Sequence, residues 1–172
     1  MDTHLNGSLL IRRKNQIAWL TLNRPKKCNA LDPALLEQLL SFFNQEAKHY
    51  SQIILQGAGP YFCAGADLKY MTPAEQQSPG HFSKLLSNFL SAYAQTPAMT
   101  ICAIHGGCYG GAMGILSATD YVISDPNTQF ACPEIKHQMI PKIIHPLLAK
   151  RLSKRQCKQL MLMGQIHTAQ DF

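Results

Sequence analysis

Half of the segment His105–Gly114, HGGCYGGAMG, is glycine, and apolar runs stand on both sides of it, AMTICAI before and ILSATDYVI after. Glycine lets the backbone turn sharply and lets another group approach it closely. A strand, a glycine-rich turn and a helix start leave unpaired backbone N–H groups at the helix N-terminus, where partial positive charge favours an anion. The segment therefore predicts either a strand–turn–helix unit whose backbone binds a ligand, or tight packing of a helix on a sheet.

The spacing of these glycines excludes the two common nucleotide-binding motifs. Neither GxxxxGK followed by Ser or Thr nor GxGxxG occurs in the chain. A second loop, CAGAD at 63–67, has the same order of strand, small residues and helix start. One N–H donor from each loop would hold a carbonyl oxygen that becomes negative during a reaction. Together the two loops predict an oxyanion hole.

Glu134 is the preferred acid–base candidate, because it is a lone carboxylate in the otherwise apolar string FACPEI. Burial there would raise its pKa toward values useful for proton transfer. The alternative is a glutamate that only interacts with the dipole of a helix N-terminus. His105 is expected to be structural, and a nucleophilic Cys63 or Cys108 would need a histidine partner that the sequence does not place.

Strands and helices alternate along the chain, which predicts an α/β fold with mainly parallel strands. Two short strands flank a turn at Lys14–Asn15, and Asp32 and Pro33 suit the N-cap and first turn of an amphipathic helix. Pro146 is expected to interrupt the helical C-terminal segment. The string MTPAEQQSPG, residues 71–80, predicts a surface loop and is a candidate flap over the site.

The composition, with 46% hydrophobic and 15% charged residues, is typical of a folded domain. The net charge of +6 suits an anionic ligand, but the basic clusters lack interleaved aromatic residues, so nucleic-acid binding is not expected. Six cysteines without CxxC or zinc-finger spacing predict reduced thiols and no metal site. The chain has no 18-residue apolar run and no secretory signal pattern, so we expect a cytoplasmic protein that does not enter a membrane.

Four strings carry a resemblance to a known family: IAWLTLNRPKKCNALD, FCAGADLKYM, HGGCYGGAMGILSATDYVISDPNTQFACPEI and MIPKIIHPLLAKRL. In order and spacing they resemble the enoyl-CoA hydratase/isomerase (crotonase) superfamily, and YGGAMGILSATD with MIPKIIHP resembles its methylglutaconyl-CoA hydratase-like members. The resemblance implies an α/β fold built as a spiral of ββα units, with two roughly perpendicular sheets, in a single domain over residues 1–172. It also implies an acyl-CoA thioester substrate, an enolate-like intermediate and no separate cofactor.

The same resemblance assigns roles to individual residues. The backbone N–H groups of Ala66 and Gly111 would form the oxyanion hole, and Glu134 would be one of the family's catalytic glutamates. The path of CoA would run along Arg24, Lys26, Lys27, Cys28, Ala30, Ala64, Ala66, Asp67, Leu68 and Gly110. The three cations at the start of this path would meet the CoA phosphates.

The chain departs from the family pattern at two points. Gly114 stands where typical hydratases carry a second glutamate, one turn into the helix after the glycines. Members of the family also run well beyond the string TAQDF, so the chain is expected to lack the C-terminal helices that cover the acyl pocket and build a homo-oligomer, a trimer or hexamer. Exposed apolar surface is then expected.

The preferred function is that of an enoyl-CoA hydratase, which adds water to a short or branched 2-enoyl-CoA. Two alternatives stay open. An enoyl-CoA isomerase needs only Glu134 to move a proton between two carbons. A catalytically impaired remnant would bind acyl-CoA without turning it over.

Overall fold

The computed structural model describes residues 3–4, 7–71 and 80–171, so most of the predicted flap, residues 72–79, lies outside the described residues. The described strands are β1 (Thr3–His4), β2 (Leu9–Lys14), β3 (Ile17–Leu22), β4 (Gln52–Gly57), β5 (Met99–Ile104), β6 (Gly107–Tyr109), β7 (Tyr121–Ser124), β8 (Gln129–Ala131) and β9 (His167–Thr168). The described α-helices are α1 (Pro33–Gln45), α2 (His81–Ala94), α3 (Gly111–Ala118), α4 (His145–Arg151) and α5 (Lys154–Met163).

Two sheets organise the described chain. The larger has the strand order β1-β2-β3-β4-β5-β7, and the smaller has the order β6-β8-β9. Pairing is antiparallel from β1 to β3 and parallel from β3 through β4 and β5 to β7. Twice along the chain, a strand of the large sheet is followed by a strand of the small sheet and then by a helix. The first such unit is β5, β6 and α3, and the second is β7, β8 and the 3-10 helix Pro133–His137. This repeat is the predicted spiral of ββα units.

Local sequence chemistry explains the first elements. Asn15 turns the chain between β2 and β3 with a φ of 54°, and asparagine tolerates this left-handed conformation. The Asp32 side chain accepts a hydrogen bond from the Leu35 backbone N–H at 2.9 Å. Pro33 begins α1, where a missing N–H costs nothing. The predicted cap, first turn and amphipathic helix are therefore observed.

Two local predictions need correction. The glycine-rich segment is not only a loop, because it contains the short strand β6 of the second sheet. Pro146 does not interrupt a helix: it lies in the first turn of α4, where its fixed φ suits the helix and no N–H is missed. The helical segment breaks later, at Leu152, and Ser153 then starts α5 with a capping box to Gln156.

Helices α1 and α2 pack against each other, and α2 also contacts α3. The buried core lies between these helices and the large sheet. Apolar surface is exposed on the edge strand β7, where Tyr121 and Ile123 are 65% and 61% exposed, and near the end of α5, where Leu162 is 60% exposed. In the described part of the chain, no helix is both long and apolar enough to cross a membrane.

Candidate active site

The CAGAD loop lies between two other segments and pairs with both. On one side it forms an isolated parallel bridge in which the Leu31 N–H donates to Gly65 O at 2.7 Å and the Asp67 N–H donates to Leu31 O at 2.8 Å. In a parallel bridge of this kind the N–H of the middle residue, Ala66, points away from the partner segment. The Ala66 N–H is therefore directed to the opposite side of the loop.

On that opposite side lies the glycine-rich segment. The Cys63 N–H donates to Gly107 O at 3.1 Å, and the Tyr109 N–H donates back to Cys63 O at 3.0 Å. These bonds align the two small-residue loops. The sequence predicts that both loops serve one site, and the structure shows the contacts between them. The alignment brings the start of α3, at Gly111, beside the CAGAD loop.

The two predicted oxyanion donors border the same small space. A Cβ placed on Gly111 would lie 3.7 Å from the Ala66 nitrogen, and one placed on Gly65 would lie 3.1 Å from the Gly111 nitrogen. Neither the Ala66 N–H nor the Gly111 N–H has an acceptor among the hydrogen bonds of the described residues. Gly111 also begins α3, so the partial positive charge of a helix N-terminus adds to its donor. Two unpaired amides in this arrangement can donate to one oxygen.

The Glu134 carboxyl group lies against Gly110, the residue that precedes Gly111 in the same turn. A Cβ placed on Gly110 would lie 2.8 Å from Glu134 Oε1. Glu134 Oε2 is buried and has no hydrogen-bond partner among the described residues. Burial raises the pKa of this carboxyl group, and a hydrogen bond from its own backbone N–H offsets only part of the effect. The group is therefore suited to hold and release a proton beside the two amides.

Arg24 forms two ion pairs that the sequence does not predict. Its guanidinium lies 2.9 Å from the Asp32 carboxylate and 3.2 Å from the Asp67 carboxylate. It also donates a hydrogen bond to the carbonyl oxygen of Ala30. With two carboxylates beside it, the arginine charge is neutralised within the protein. Arg24 therefore ties the start of α1 to the CAGAD loop and is not a free partner for phosphate.

Two of the other residues predicted along the CoA path, Cys28 and Ala64, are in direct contact. The Ala64 N–H donates to Cys28 O at 2.9 Å, which places these two backbones side by side. Lys26 and Lys27 are exposed, and neither forms an ion pair within the described residues. Leu68 is 57% exposed at the end of the loop. Within the described residues, Cys28 and the CAGAD loop therefore pair close to two cations that form no ion pair.

Asn29 holds these segments together, and sequence reasoning missed it. Its side chain is fully buried, accepts from the Arg24 N–H at 2.8 Å, and donates to Ala58 O and Tyr61 O, both at 2.8 Å. Its φ of 54° is left-handed, which asparagine tolerates better than most residues. The only signal in the sequence was an asparagine between two predicted elements, which also fits an ordinary turn.

Asn29→Ala is expected to lower the free energy of unfolding by about 2–4 kcal/mol, because two part-buried carbonyl groups and one N–H lose their hydrogen-bond partner. Chemical denaturation measures the loss. Asn15→Ala is the matched control, since Asn15 has the same φ of 54° in an exposed turn. If both substitutions lower the free energy of unfolding by the same amount, the left-handed backbone conformation, and not the hydrogen bonds, explains the effect at Asn29.

A sequence profile described as enoyl-CoA hydratase/isomerase matches residues 12–172. The chain belongs to this family. It is 25% identical to the bacillaene synthase dehydratase of Bacillus subtilis, over 99% of this chain and 67% of that protein. It is 29% identical to the mitochondrial Δ(3,5)-Δ(2,4)-dienoyl-CoA isomerase of Rattus norvegicus, over 76% of this chain and 47% of that protein.

Solved structures of the family share the fold. The crystal structure of an enoyl-CoA hydratase from Mycobacterium smegmatis matches with a TM-score of 0.88 and 26% identity, over 96% of this chain and 66% of that one. The predicted crotonase fold is thereby confirmed. The chain spans about two thirds of the length of this hydratase and of the Bacillus dehydratase. Hydratase and isomerase names both occur among the relatives, so membership of the family does not decide between these reactions.

Gly114, the expected place of the family's second glutamate, is closely packed. A Cβ placed there would lie 2.5 Å from Ile144 Cγ2 and 3.1 Å from Leu90 Cδ1. Side chains on a helix lean toward its N-terminus, so this space adjoins the first turn of α3, where the predicted oxyanion donor Gly111 lies. The side chains of Ile144 and Leu90 therefore occupy the space that a glutamate side chain at position 114 would need.

Gly114→Ala is expected to lower the free energy of unfolding by about 1–3 kcal/mol, because the new methyl group overpacks against Ile144. Thermal or chemical denaturation measures the loss. In an Ile144→Ala background the clashing methyl group is absent, so the added substitution should cost little or even stabilise the protein. If Gly114→Ala lowers the free energy of unfolding equally in the wild-type and Ile144→Ala backgrounds, a clash between the new methyl group and Ile144 does not cause the loss.

The remaining candidates have structural roles. Burial raises the pKa of the Cys63 thiol to about 12 and that of Cys108 well above its usual value, so neither supplies a thiolate near neutral pH. The His105 ring bonds to Gly59 O at 2.7 Å. All six cysteines are free thiols. Within the residues that the structure describes, no cluster of His, Cys, Asp and Glu could hold a metal ion.

A separate cavity of about 400 Å³ lies between α3, β7, β8 and α4. Its lining residues are Met113, Leu116, Ser117, Thr119, Asp120, Val122, Ser124, Phe130, Leu148, Arg151, Leu152 and Ala169. Ala66, Gly111 and Glu134 do not belong to this lining. The candidate site is therefore defined by its backbone donors and its carboxyl group, and not by this cavity.

Proposed function

We propose that the site binds acyl-CoA thioesters and that the chain acts as an enoyl-CoA hydratase on a 2-enoyl-CoA. One observation carries the proposal. Two backbone amides that have no acceptor among the described residues, those of Ala66 and Gly111, border one space, and the buried Glu134 carboxyl group lies against the adjoining Gly110. A thioester reaction that passes through an enolate needs these two functions, donors for the oxygen and a group that moves a proton.

The amides act on the thioester carbonyl. As electrons move onto the carbonyl oxygen, the oxygen becomes a stronger acceptor, so the two N–H groups bind the enolate more tightly than the ground-state thioester. Both donors are fixed before the substrate arrives, Ala66 by the bridge to Leu31 and Gly111 by the start of α3. No reorganisation is then needed as charge develops.

Glu134 serves as both base and acid in the hydration. Its carboxylate takes one proton from water while the water oxygen forms a bond to the β-carbon of the substrate. The electron pair of the double bond moves toward the carbonyl, giving an enolate held by Ala66 and Gly111. The protonated Glu134 then returns that proton to the α-carbon, and the product is a 3-hydroxyacyl-CoA. A raised pKa suits this role, because the carboxyl group keeps the proton until the α-carbon accepts it.

The exposed cations Lys26 and Lys27 supply the charge for the other end of the substrate. They follow Pro25 in a 3-10 helix that ends at Cys28, whose carbonyl pairs with the CAGAD loop. Phosphate groups of CoA would pair with these two side chains in charge-assisted hydrogen bonds. The amides that hold the thioester lie further along the same paired segments, so the molecule would lie along this path.

A second candidate reaction is isomerisation of a 3-enoyl-CoA to a 2-enoyl-CoA. The packing of Ile144 against Gly114 favours it, because a single carboxylate is enough to move a proton between carbons. Glu134 would remove a proton from the α-carbon, the amides would hold the dienolate oxygen, and Glu134 would return the proton to the γ-carbon. No water enters this reaction.

Product mass separates the candidates. The protein is incubated with a 2-enoyl-CoA and, separately, with a 3-enoyl-CoA. A gain of one water from the 2-enoyl-CoA supports the hydratase, and a shifted double bond at constant mass from the 3-enoyl-CoA supports the isomerase. Titration calorimetry with the same ligands is run in parallel. Binding without turnover would favour an acyl-CoA-binding remnant, and absence of binding would contradict every acyl-CoA function.

A further inference from the structure

Among the described residues, packing and not hydrogen bonds to other residues holds the Glu134 carboxyl group in place. Its Oε2 atom is buried and has no hydrogen-bond partner among the described residues, and the carboxyl group accepts a hydrogen bond from its own backbone N–H. A flexible side chain with so few polar contacts is fixed only by the atoms that it touches. Gly110 is one of these neighbours, since a Cβ there would lie 2.8 Å from Oε1 and 3.3 Å from Cδ.

The backbone of Gly110 is held by a hydrogen bond and has an unusual conformation. Its N–H donates to Ala131 O at 2.9 Å, which continues the parallel ladder between β6 and β8. Its φ of 52° and ψ of −120° form a conformation that side chains disfavour and that only glycine adopts freely. The bond to Ala131 sets the distance between this turn and the segment that carries Glu134, three residues further on. It also uses the Gly110 N–H, so this amide is not free for a substrate.

We propose that Gly110 is the positioning residue of Glu134: the missing side chain leaves a slot in which the carboxyl group lies, beside the amide of Gly111. Gly110 and Gly111 therefore have different tasks. Gly111 donates to the thioester oxygen, and Gly110 makes room for the group that moves the proton. The kinetic part of this proposal rests on the proposed acyl-CoA function, whereas the contact itself does not.

The kinetic test is Gly110→Ala. We expect the turnover number to fall about 100-fold, the scale of a misplacement of about 1 Å at a reacting group. KM should change less than about threefold, because the Gly110 N–H, although the sequence places this residue on the CoA path, already donates to Ala131 O. In a Glu134→Gln background the same substitution should cause almost no further loss, since residues that act as a unit are not additive. A full additional 100-fold loss in that background would overturn the proposal.

A shorter acid provides a rescue. Glu134→Asp withdraws the carboxyl group from Gly110 by one methylene, so Gly110→Ala should cost this variant much less turnover than it costs the wild-type protein. An equal cost in both backgrounds would show that the new methyl group acts through something other than the carboxyl group.

A test without turnover uses thermal unfolding. Gly110→Ala should lower the melting temperature by several degrees, and in a Glu134→Ala background it should lower it clearly less, because the clash with the carboxyl group is gone. Strain from the left-handed φ is present in both backgrounds and cancels. Equal shifts, or a Gly110→Ala protein whose folding Glu134→Ala does not restore, would refute the contact. If the wild-type protein shows no turnover, the proposed function fails while this comparison still decides the role of Gly110.

Discussion

Glu134→Gln is expected to lower the turnover of enoyl-CoA by about 100- to 10,000-fold, the usual contribution of a general acid–base group. The amide has nearly the shape of the carboxyl group but neither takes nor returns a proton. The fold should be retained, because Glu134 Oε2 has no hydrogen bond to lose within the described part of the chain. Affinity for a saturated acyl-CoA should be retained as well, since the amides and the lysines are unchanged. Steady-state kinetics and calorimetry on both proteins make the comparison.

The same substitution predicts a change in the pH dependence of stability. Burial raises the pKa of Glu134 in the folded protein above its unfolded value, so the folded state binds this proton more tightly. The resulting stabilisation is complete below the unfolded pKa and is lost as the pH rises through the folded pKa. In Glu134→Gln this part of the dependence is absent, so the variant should gain stability relative to the wild-type protein as the pH rises. Denaturation across that pH range measures the difference.

Two outcomes would contradict the role of Glu134. Full turnover in Glu134→Gln would show that another group moves the proton. An unchanged difference in stability between the two proteins across the pH range would show that the carboxyl group is not desolvated.

Gly111→Pro is expected to lower turnover by about 100- to 1,000-fold, the cost of one oxyanion donor. Proline removes the N–H and adds nothing polar. Gly111 is the first residue of α3, a position where proline is tolerated in helices. Its N–H has no acceptor in the described part of the protein, so the helix loses no hydrogen bond. Stability should therefore change little while turnover falls.

Gly111→Ala is the matched control for this substitution. Alanine keeps the N–H, and its Cβ would lie 3.4 Å from Leu31 and 3.7 Å from Leu86, which are ordinary van der Waals contacts. We expect this variant to retain at least about tenfold more turnover than Gly111→Pro, given the scale of one lost donor. If the two variants are equally impaired, bulk at this position and not the N–H accounts for the loss.

The local chemistry of the chain could be predicted from sequence to a large extent. The Asp32 cap, the turn at Asn15 and the strand–helix alternation follow from residues that are neighbours along the chain. The two small-residue loops could be predicted as donors for the same reason, since each carries its own strand, turn and helix start.

Features that depend on distant contacts could not be predicted. Asn29 looked like a turn residue, because its partners at Ala58 and Tyr61 are about thirty residues away. Arg24 looked like a free cation until folding brought Asp32 and Asp67 to it. The role of each residue depends on which segment packs beside it. Composition and motif spacing do not predict that packing.

The packing around Gly110 and Gly114 could be predicted from the sequence only in part. The absence of a glutamate at Gly114 was visible in the sequence, but the apolar filling by Ile144 was not, because thirty residues separate them. The close approach of Gly110 to Glu134 was likewise hidden, since it depends on the ladder between β6 and β8. Glycine in the sequence showed that something approaches the backbone, and only the fold showed what it is.

The central claim is that the Ala66 and Gly111 amides hold a thioester carbonyl oxygen, and infrared spectroscopy tests it without turnover. A saturated acyl-CoA labelled with ¹³C at the thioester carbonyl is bound to the wild-type protein and to Gly111→Pro. The account predicts that the carbonyl stretch of the bound ligand shifts to lower frequency in the wild-type protein, because two donors polarise the bond, and that most of this shift is lost in Gly111→Pro. A bound thioester with the same carbonyl frequency in both proteins would contradict the claim.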